Sequence, residues 1–452
     1  MRAFTYFVLA ILFACLVLAD CEALHANTLT VGPGKMFARI GDAVDRARAG
    51  DTILVYPRKG DKPYRKVALL IKVPGLVFHA ARSADRSRVR ISGKGFNYSG
   101  RGRVPRAVFQ FNPGADGCVV DGFEIFGAHG EDRNGAAVRI NGANGVVVRN
   151  CNIHHNDMGI MCGGRVNRGT GKGELIEHCL IHHNGTLDNP GYNHNLYLNG
   201  TSVIVRFCSL NNSLSGQNLK SRAHHLRVEY CYIHHSANRE LDLVDSVNTA
   251  LPGSHAVLVG NVIVKAPRTN GNQTVIQFGR DGSKEHNGTL FLVHNTIVTP
   301  YVSPIVDLTA SKAKVHMSGN IICDGGSGQR NQRLVRVRNG ALLRNVGGSR
   351  NWSSSGFSLP RGTGLDPKTN LFGRQPSNMF AAPDLHDYRP SARVPEVVGA
   401  GQYLDLARIP AVPGLPADIE DIPILSCEYR HPAKRQARPH RRNPDLGAYG
   451  VR

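Results

Sequence analysis

One short pattern recurs through the middle of the chain and limits what it can fold into. Apolar or β-branched residues are followed by two mostly polar ones, then Cys or Asn, any residue, and Ile, Val or Leu. It reads Val148-Arg149-Asn150-Cys151-Asn152-Ile153 and Ile176-Glu177-His178-Cys179-Leu180-Ile181. It continues as Val205-Arg206-Phe207-Cys208-Ser209-Leu210 and Val228-Glu229-Tyr230-Cys231-Tyr232-Ile233. Later copies carry Asn261, Asn295 and Asn320 at the marker, and an earlier one carries Phe123. Successive markers stand 23 to 34 residues apart. A unit that short cannot bury its own apolar face, so neighbours must stack into a solenoid. Cys and Asn exchange at one inward turn position. The ten cysteines therefore read as a ladder of buried thiols and not as a disulfide framework.

A second strand in each unit alternates with period two. Its inward pairs are Val138/Ile140, Leu196/Leu198, Leu219/Ser221, Leu241/Leu243, Ile276/Phe278, Val306/Leu308 and Val335/Val337. The residues between them are expected to face outward: Asn195 and Tyr197, then Asn218, Lys220 and Arg222, then Glu240 and Asp242. With stacked strands about 4.8 Å apart, Tyr197, Lys220 and Asp242 form one column and Asn195, Asn218 and Glu240 the next. Arg139, Met161, Gln277 and Asp307 extend the first column and line a groove.

The ends complete the plan. Residues 1–26 hold Arg2, an apolar run from Phe7 to Ala19, and small residues at Ala23 and Ala26, the features of a secretion signal. Residues 27–75 form a cap, in which Phe37, Ile40, Val44 and Ala47 have helical spacing and Gly50 is a stop. Coils fill 76–340, and a Pro- and Gly-rich extension, 341–452, wraps or covers the far end. No later stretch reaches membrane-spanning length. The formal charge of +21 suits a polyanion. Export and the lack of any nucleic-acid motif favour an acidic polysaccharide over nucleic acid. The expected molecule is a secreted or periplasmic monomer.

Three stretches carry a family resemblance: Thr28-Leu29-Thr30-Val31-Gly32-Pro33-Gly34, Ala49-Gly50-Asp51-Thr52-Ile53, and the closing Asp445-Leu446-Gly447-Ala448-Tyr449. With the repeated coils they resemble the right-handed parallel β-helix proteins of the pectate-lyase-like superfamily. The resemblance implies an all-β solenoid with a short N-terminal capping helix and an irregular C-terminal extension. It covers most of residues 27–340 and the final few. Such folds carry lyases, hydrolases, epimerases and non-catalytic modules.

Lyases of this superfamily use a Lys or Arg base, a second cation and often calcium. The resemblance therefore implies Lys220 as the base that abstracts the C5 proton of a uronate. Arg222, or Arg239 near the strand edge, would stabilise the charge on the sugar carboxylate. Tyr197 would protonate the leaving oxygen, and His194 is an alternative acid or base. A basic lysine must lose its proton, which Glu240 and Asp242 oppose and Arg222 favours. Calcium on Glu240 and Asp242 would lift that conflict, with Asn195, Asn218, water and substrate completing six to eight oxygens. Ser213 and Ser215 stand where further acids are common in the family. Asn195, Asn218, Arg139 and Gln277 are the expected substrate-binding residues. Two other readings stay open: a hydrolase using Glu240 with Asp242 or Asp245, and a non-catalytic polysaccharide-binding wall. The pairs His154-His155, His182-His183 and His234-His235 read as stacked turns.

Overall fold

A computed structural model describes residues 26–82, 88–188, 190–391, 394, 396–402, 422–423, 425–439 and 443–450. The expected secretion signal lies, but for Ala26, outside the described residues. Three parallel sheets of 13, 12 and 10 strands form the wall of a right-handed β-helix. One turn of it runs Ser202–Arg206, Ser209–Asn211, Leu219–Ser221, one strand in each sheet, before His225–Glu229 opens the next. Among the described residues no helix is long and apolar enough to cross a membrane.

The marker turn explains the repeat. It joins the thirteen- to the twelve-stranded sheet, and the residue just before the marker takes a left-handed conformation: φ is 55° at Asn150, 54° at His178, 53° at Phe207 and 49° at Tyr230. That corner turns Cys or Asn inward. Asn261 Nδ2 donates to Asn295 Oδ1 (3.0 Å), Asn295 to Asn320 (3.1 Å), Asn320 to Asn351 and Asn351 to Asn370 (both 2.7 Å). Thiols fill the earlier rungs: Cys151, Cys179, Cys208 and Cys231 each point Sγ at the carbonyl two residues back, at 3.1 to 3.3 Å. All eight described cysteines are free, seven of them buried. The paired histidines are a second stacked corner, with left-handed φ at His155, His183 and His235 and ring centroids 5.5 Å apart between His155 and His183.

Both ends depart from expectation. The capping helix shrinks to one turn, Ile40–Val44, whose Ile40 and Ala43 join the main core. The coils continue past residue 340: Val346–Ser349 and Gly364–Leu365 extend one sheet, Trp352–Ser354 and Leu371–Gly373 another. The described part of the remaining extension lies along the flank, where Met379, Phe380, Tyr388 and Tyr429 join one apolar cluster with Phe207, Tyr230 and Tyr232. The closing motif docks there too: Gly447 N–H donates to the Gly319 carbonyl (2.8 Å) and Ala448 N–H to Thr296 Oγ1 (3.0 Å).

Candidate functional site

The ten-stranded sheet keeps the expected register. Arg139 pairs with Met161, Met161 with Tyr197, Tyr197 with Lys220, Lys220 with Asp242, Asp242 with Gln277, and Gln277 with Asp307. Lys220, Arg222, Tyr197, Arg239 and Asp242 gather in the middle of this column. Lys220 Nζ lies 2.9 Å from Asp242 Oδ2, and Arg239 approaches the other Asp242 oxygen at 3.5 Å. Arg222 Nε donates to Tyr197 Oη at 3.1 Å.

A residue that sequence reasoning missed completes the cluster. Asp281 Oδ2 accepts from Lys220 Nζ at 2.7 Å and from Arg222 Nη2 at 3.2 Å. Asp281 sits in the loop after strand Ile276–Gly279. The buried carboxylate of Asp245 fixes that loop by accepting the backbone N–H groups of Asp281 (2.7 Å), Gly282 (2.8 Å) and Lys284 (2.7 Å). Gln277, also buried, donates to the Arg280 carbonyl at 2.8 Å and so steadies the loop's start.

These contacts set the charge states. Burial alone would discharge Lys220, but Asp242 and Asp281 outweigh it and hold the ammonium above its ordinary value. Burial likewise opposes the charge on Asp281, yet Lys220 and Arg222 keep its carboxyl below the usual range. The expected base is thus an ion-paired ammonium. His194 is buried, and burial followed by Lys220 and Arg222 pushes it down to about 3. Its Nδ1 accepts the Gln217 N–H at 3.1 Å and its ring stacks on Tyr197 with centroids 5.7 Å apart. His194 is a neutral shelf for the phenol. A Cβ at Gly216 would collide with the Asn193 carbonyl and this imidazole, so the tight packing there requires glycine. Arg139 touches Asn141 Oδ1 (3.3 Å) and Met161 Sδ (3.2 Å). Among the described residues it has no carboxylate within ion-pair distance. Burial, then Arg106, lowers its affinity for its proton.

The second expected column does not face outward. Asn195, Asn218 and Glu240 are each 0% exposed. They precede their strands, which begin at Leu196, Leu219 and Leu241. The chain bends at that corner, so strand alternation does not reach them. They form a second interior ladder: Asn184 Nδ2 donates to Asn195 Oδ1 (2.9 Å), Asn195 to Asn218 (2.8 Å) and Asn218 to Glu240 Oε2 (2.7 Å). Glu240 also takes the Ser236 N–H at 3.0 Å and faces the buried Lys265 at 3.5 Å. Asn195 and Asn218 are therefore not placed to bind substrate, and Glu240 is neither a metal ligand nor half of a hydrolase pair. The calcium set does not fit either: Glu240 is interior, and Asp242 is shared between Lys220 and Arg239. Among the described residues no group of three or more His, Cys, Asp or Glu side chains is arranged to hold a metal ion.

No protein family matches the chain, and no curated protein sequence matches it. Solved structures do. The chain is similar to pectate lyase Pel9A, at 13% identity over 91% of this chain and 90% of that one, with a TM-score of 0.44. It is similar to an exopolygalacturonase of Yersinia enterocolitica, at 9% identity over 77% of each chain and a TM-score of 0.40. A PL6-family alginate lyase follows, at 12% identity over 75% of this chain and 53% of that one, with a TM-score of 0.39. The strand order and register define the class of this chain, a right-handed parallel β-helix.

Proposed function

We propose that the chain is a secreted lyase that cleaves a uronic-acid-containing polysaccharide by β-elimination on the ten-stranded sheet. One observation carries this reading. Two cations, Lys220 and Arg222, converge on a single carboxylate beside a phenol oxygen that Arg222 also contacts. Elimination from a uronate needs the sugar carboxylate neutralised, because that makes the neighbouring C5 hydrogen acidic. It also needs a group that moves a proton near the leaving oxygen. Lys220 and Arg222 supply the first, as two charges already set side by side on one face. Tyr197 supplies the second: its oxygen accepts from Arg222, so its own hydrogen points elsewhere. Lys220 as the C5 base is opposed by Asp242 and Asp281, so both proton transfers fall to Tyr197: its phenolate form takes the C5 proton, and the phenol so formed gives that proton to the leaving oxygen. The net charge of +21 favours a polyanionic substrate.

The test is a panel of pectate, alginate and glycosaminoglycans, followed by the ultraviolet absorbance of the unsaturated product, with calcium and with chelator. No absorbance gain on any of them sinks the lyase. New reducing ends without absorbance would indicate hydrolysis, and binding without turnover a non-catalytic wall.

A further inference from the structure

Asp281 belongs to a loop and not to the sheet, yet it makes the contacts that a bound uronate would make. Of the two carboxylates on Lys220, Asp242 is the covered one, on the outward face of its strand with a side chain 1% exposed. Asp281 is the outer one, with a side chain 38% exposed. Among the described residues it alone bridges Lys220 and Arg222, the pair assigned above to the substrate carboxylate. We propose that Asp281 is a resident stand-in for that carboxylate, and that it sets specificity by making every incoming anion compete for Lys220 and Arg222. This rests on the reading of the site as a uronate site.

The competition follows from tethering. A carboxylate held on a short ordered loop acts at a high effective concentration, so a lone free carboxylate displaces it poorly. A polymer does better, because contacts elsewhere in the groove offset the exchange. Arg139 offers such a contact three coils away, on the order of 14 Å from Lys220 at the spacing of stacked strands. It is the cation of this column that lacks a carboxylate partner among the described residues. At the other end Arg336 and Arg338 both contact Asp307, so that end is already neutralised in part. The loop need not unfold to release Asp281. Asp245 holds it by backbone N–H groups alone, leaving the Asp281 side chain free to rotate away. Exchange leaves the charge balance unchanged, since one carboxylate replaces another on the same two cations.

The experiment measures binding by calorimetry, using the full chain and its Asp281→Asn variant. The probes are oligogalacturonate, oligoalginate, free galacturonate and a neutral xylo-oligosaccharide. Asp281→Asn keeps the loop's backbone bonds and removes the competing charge. The variant is expected to bind at least one acidic oligomer about tenfold or more tightly, as one charge-assisted contact is released to the ligand. It should also gain measurable binding of free galacturonate, with the neutral sugar unchanged. Asp245→Asn, which loosens the loop and also removes the longer 3.9 Å ion pair between Arg222 and Asp245, should shift affinity the same way by less. Equal or weaker binding of every acidic probe by Asp281→Asn, or binding by neither protein, overturns the proposal. Tighter binding without any unsaturated product keeps the clamp and removes the lyase. Product formation with unchanged affinity keeps the lyase and removes the clamp.

Discussion

On the flank formed by the thirteen- and twelve-stranded sheets, the outward side chains of the middle coils are Phe207, Tyr230, Tyr232 and Val262, all buried. On the ten-stranded sheet of neighbouring coils the outward side chains are Tyr197, Lys220, Asp242 and Gln277. The backbone is the same in both places. What differs is the cover. The first face lies under the chain's own C-terminal extension, and its rings stack, with Phe207 and Tyr230 centroids 5.4 Å apart. The second is crossed by one loop that brings a carboxylate. Near-buried ion pairs seldom add net stability over apolar packing of the same volume. A wall able to make the first kind of face therefore keeps the second for a reason other than stability.

Substitutions on the two faces should separate cleanly. The largest effect is expected from Tyr197→Phe, which should lower turnover on the responsive polyuronate about 10²- to 10⁴-fold with little change in melting temperature. On the covered face, Tyr230→Ala should cost about 3–5 kcal/mol in denaturant titration and leave turnover per folded molecule intact. Loss of that turnover would break the comparison. In the interior between the faces, Lys265→Met strands Glu240 and should cost about 3–5 kcal/mol, and adding Glu240→Gln should restore most of it.

Acid should act on both faces through buried histidines. His194, His286 and His294 are each held down to about 3, chiefly by burial, against an ordinary 6.5. Their folded values lie below the unfolded ones. The stability they contribute is present above pH 6.5 and lost as pH falls toward 3, at about 1.4 kcal/mol per pH unit for each. Denaturant midpoints between neutral and mildly acidic pH read this slope. Glu174 has the opposite sign. Among the described residues no other residue hydrogen-bonds either of its buried carboxyl oxygens, and burial raises it well above 4.5. The stability linked to it is present below pH 4.5 and lost as pH rises through its folded value. Glu174→Gln should flatten that loss and add about 1–3 kcal/mol at neutral pH.

Much of this was legible in the sequence, for physical reasons. Period fixes stacking, so the marker rungs and the Tyr197–Lys220–Asp242 column could be read directly. Alternation holds only within a strand. Asn195, Asn218 and Glu240 stand one residue outside theirs, so reading them as outward carried the rule past its range. Asp281 is 61 residues from Lys220 on a loop, and loops have no period. The nearest signal was an Asp-Gly step, Asp281-Gly282, just after the strand of the following coils. The flank position of the extension was hidden too, although the aromatic Phe207, Tyr230 and Tyr232, at places mostly polar in earlier coils, were a trace of it.

The second interior ladder also bears on how such a chain can change length. An Asn rung both donates and accepts, so it is interchangeable with its neighbours. Removing the coil that carries Asn218 would bring Asn195 against Glu240, and the bond would close again. The last rung is directional: Glu240 accepts, and Lys265 can only donate. Removing the coil of Glu240 would set an amide donor against an ammonium with no acceptor between them. By this ladder alone the coil of Asn218 is replaceable, whereas the coil of Glu240, which also carries Asp242 and Asp245, is not.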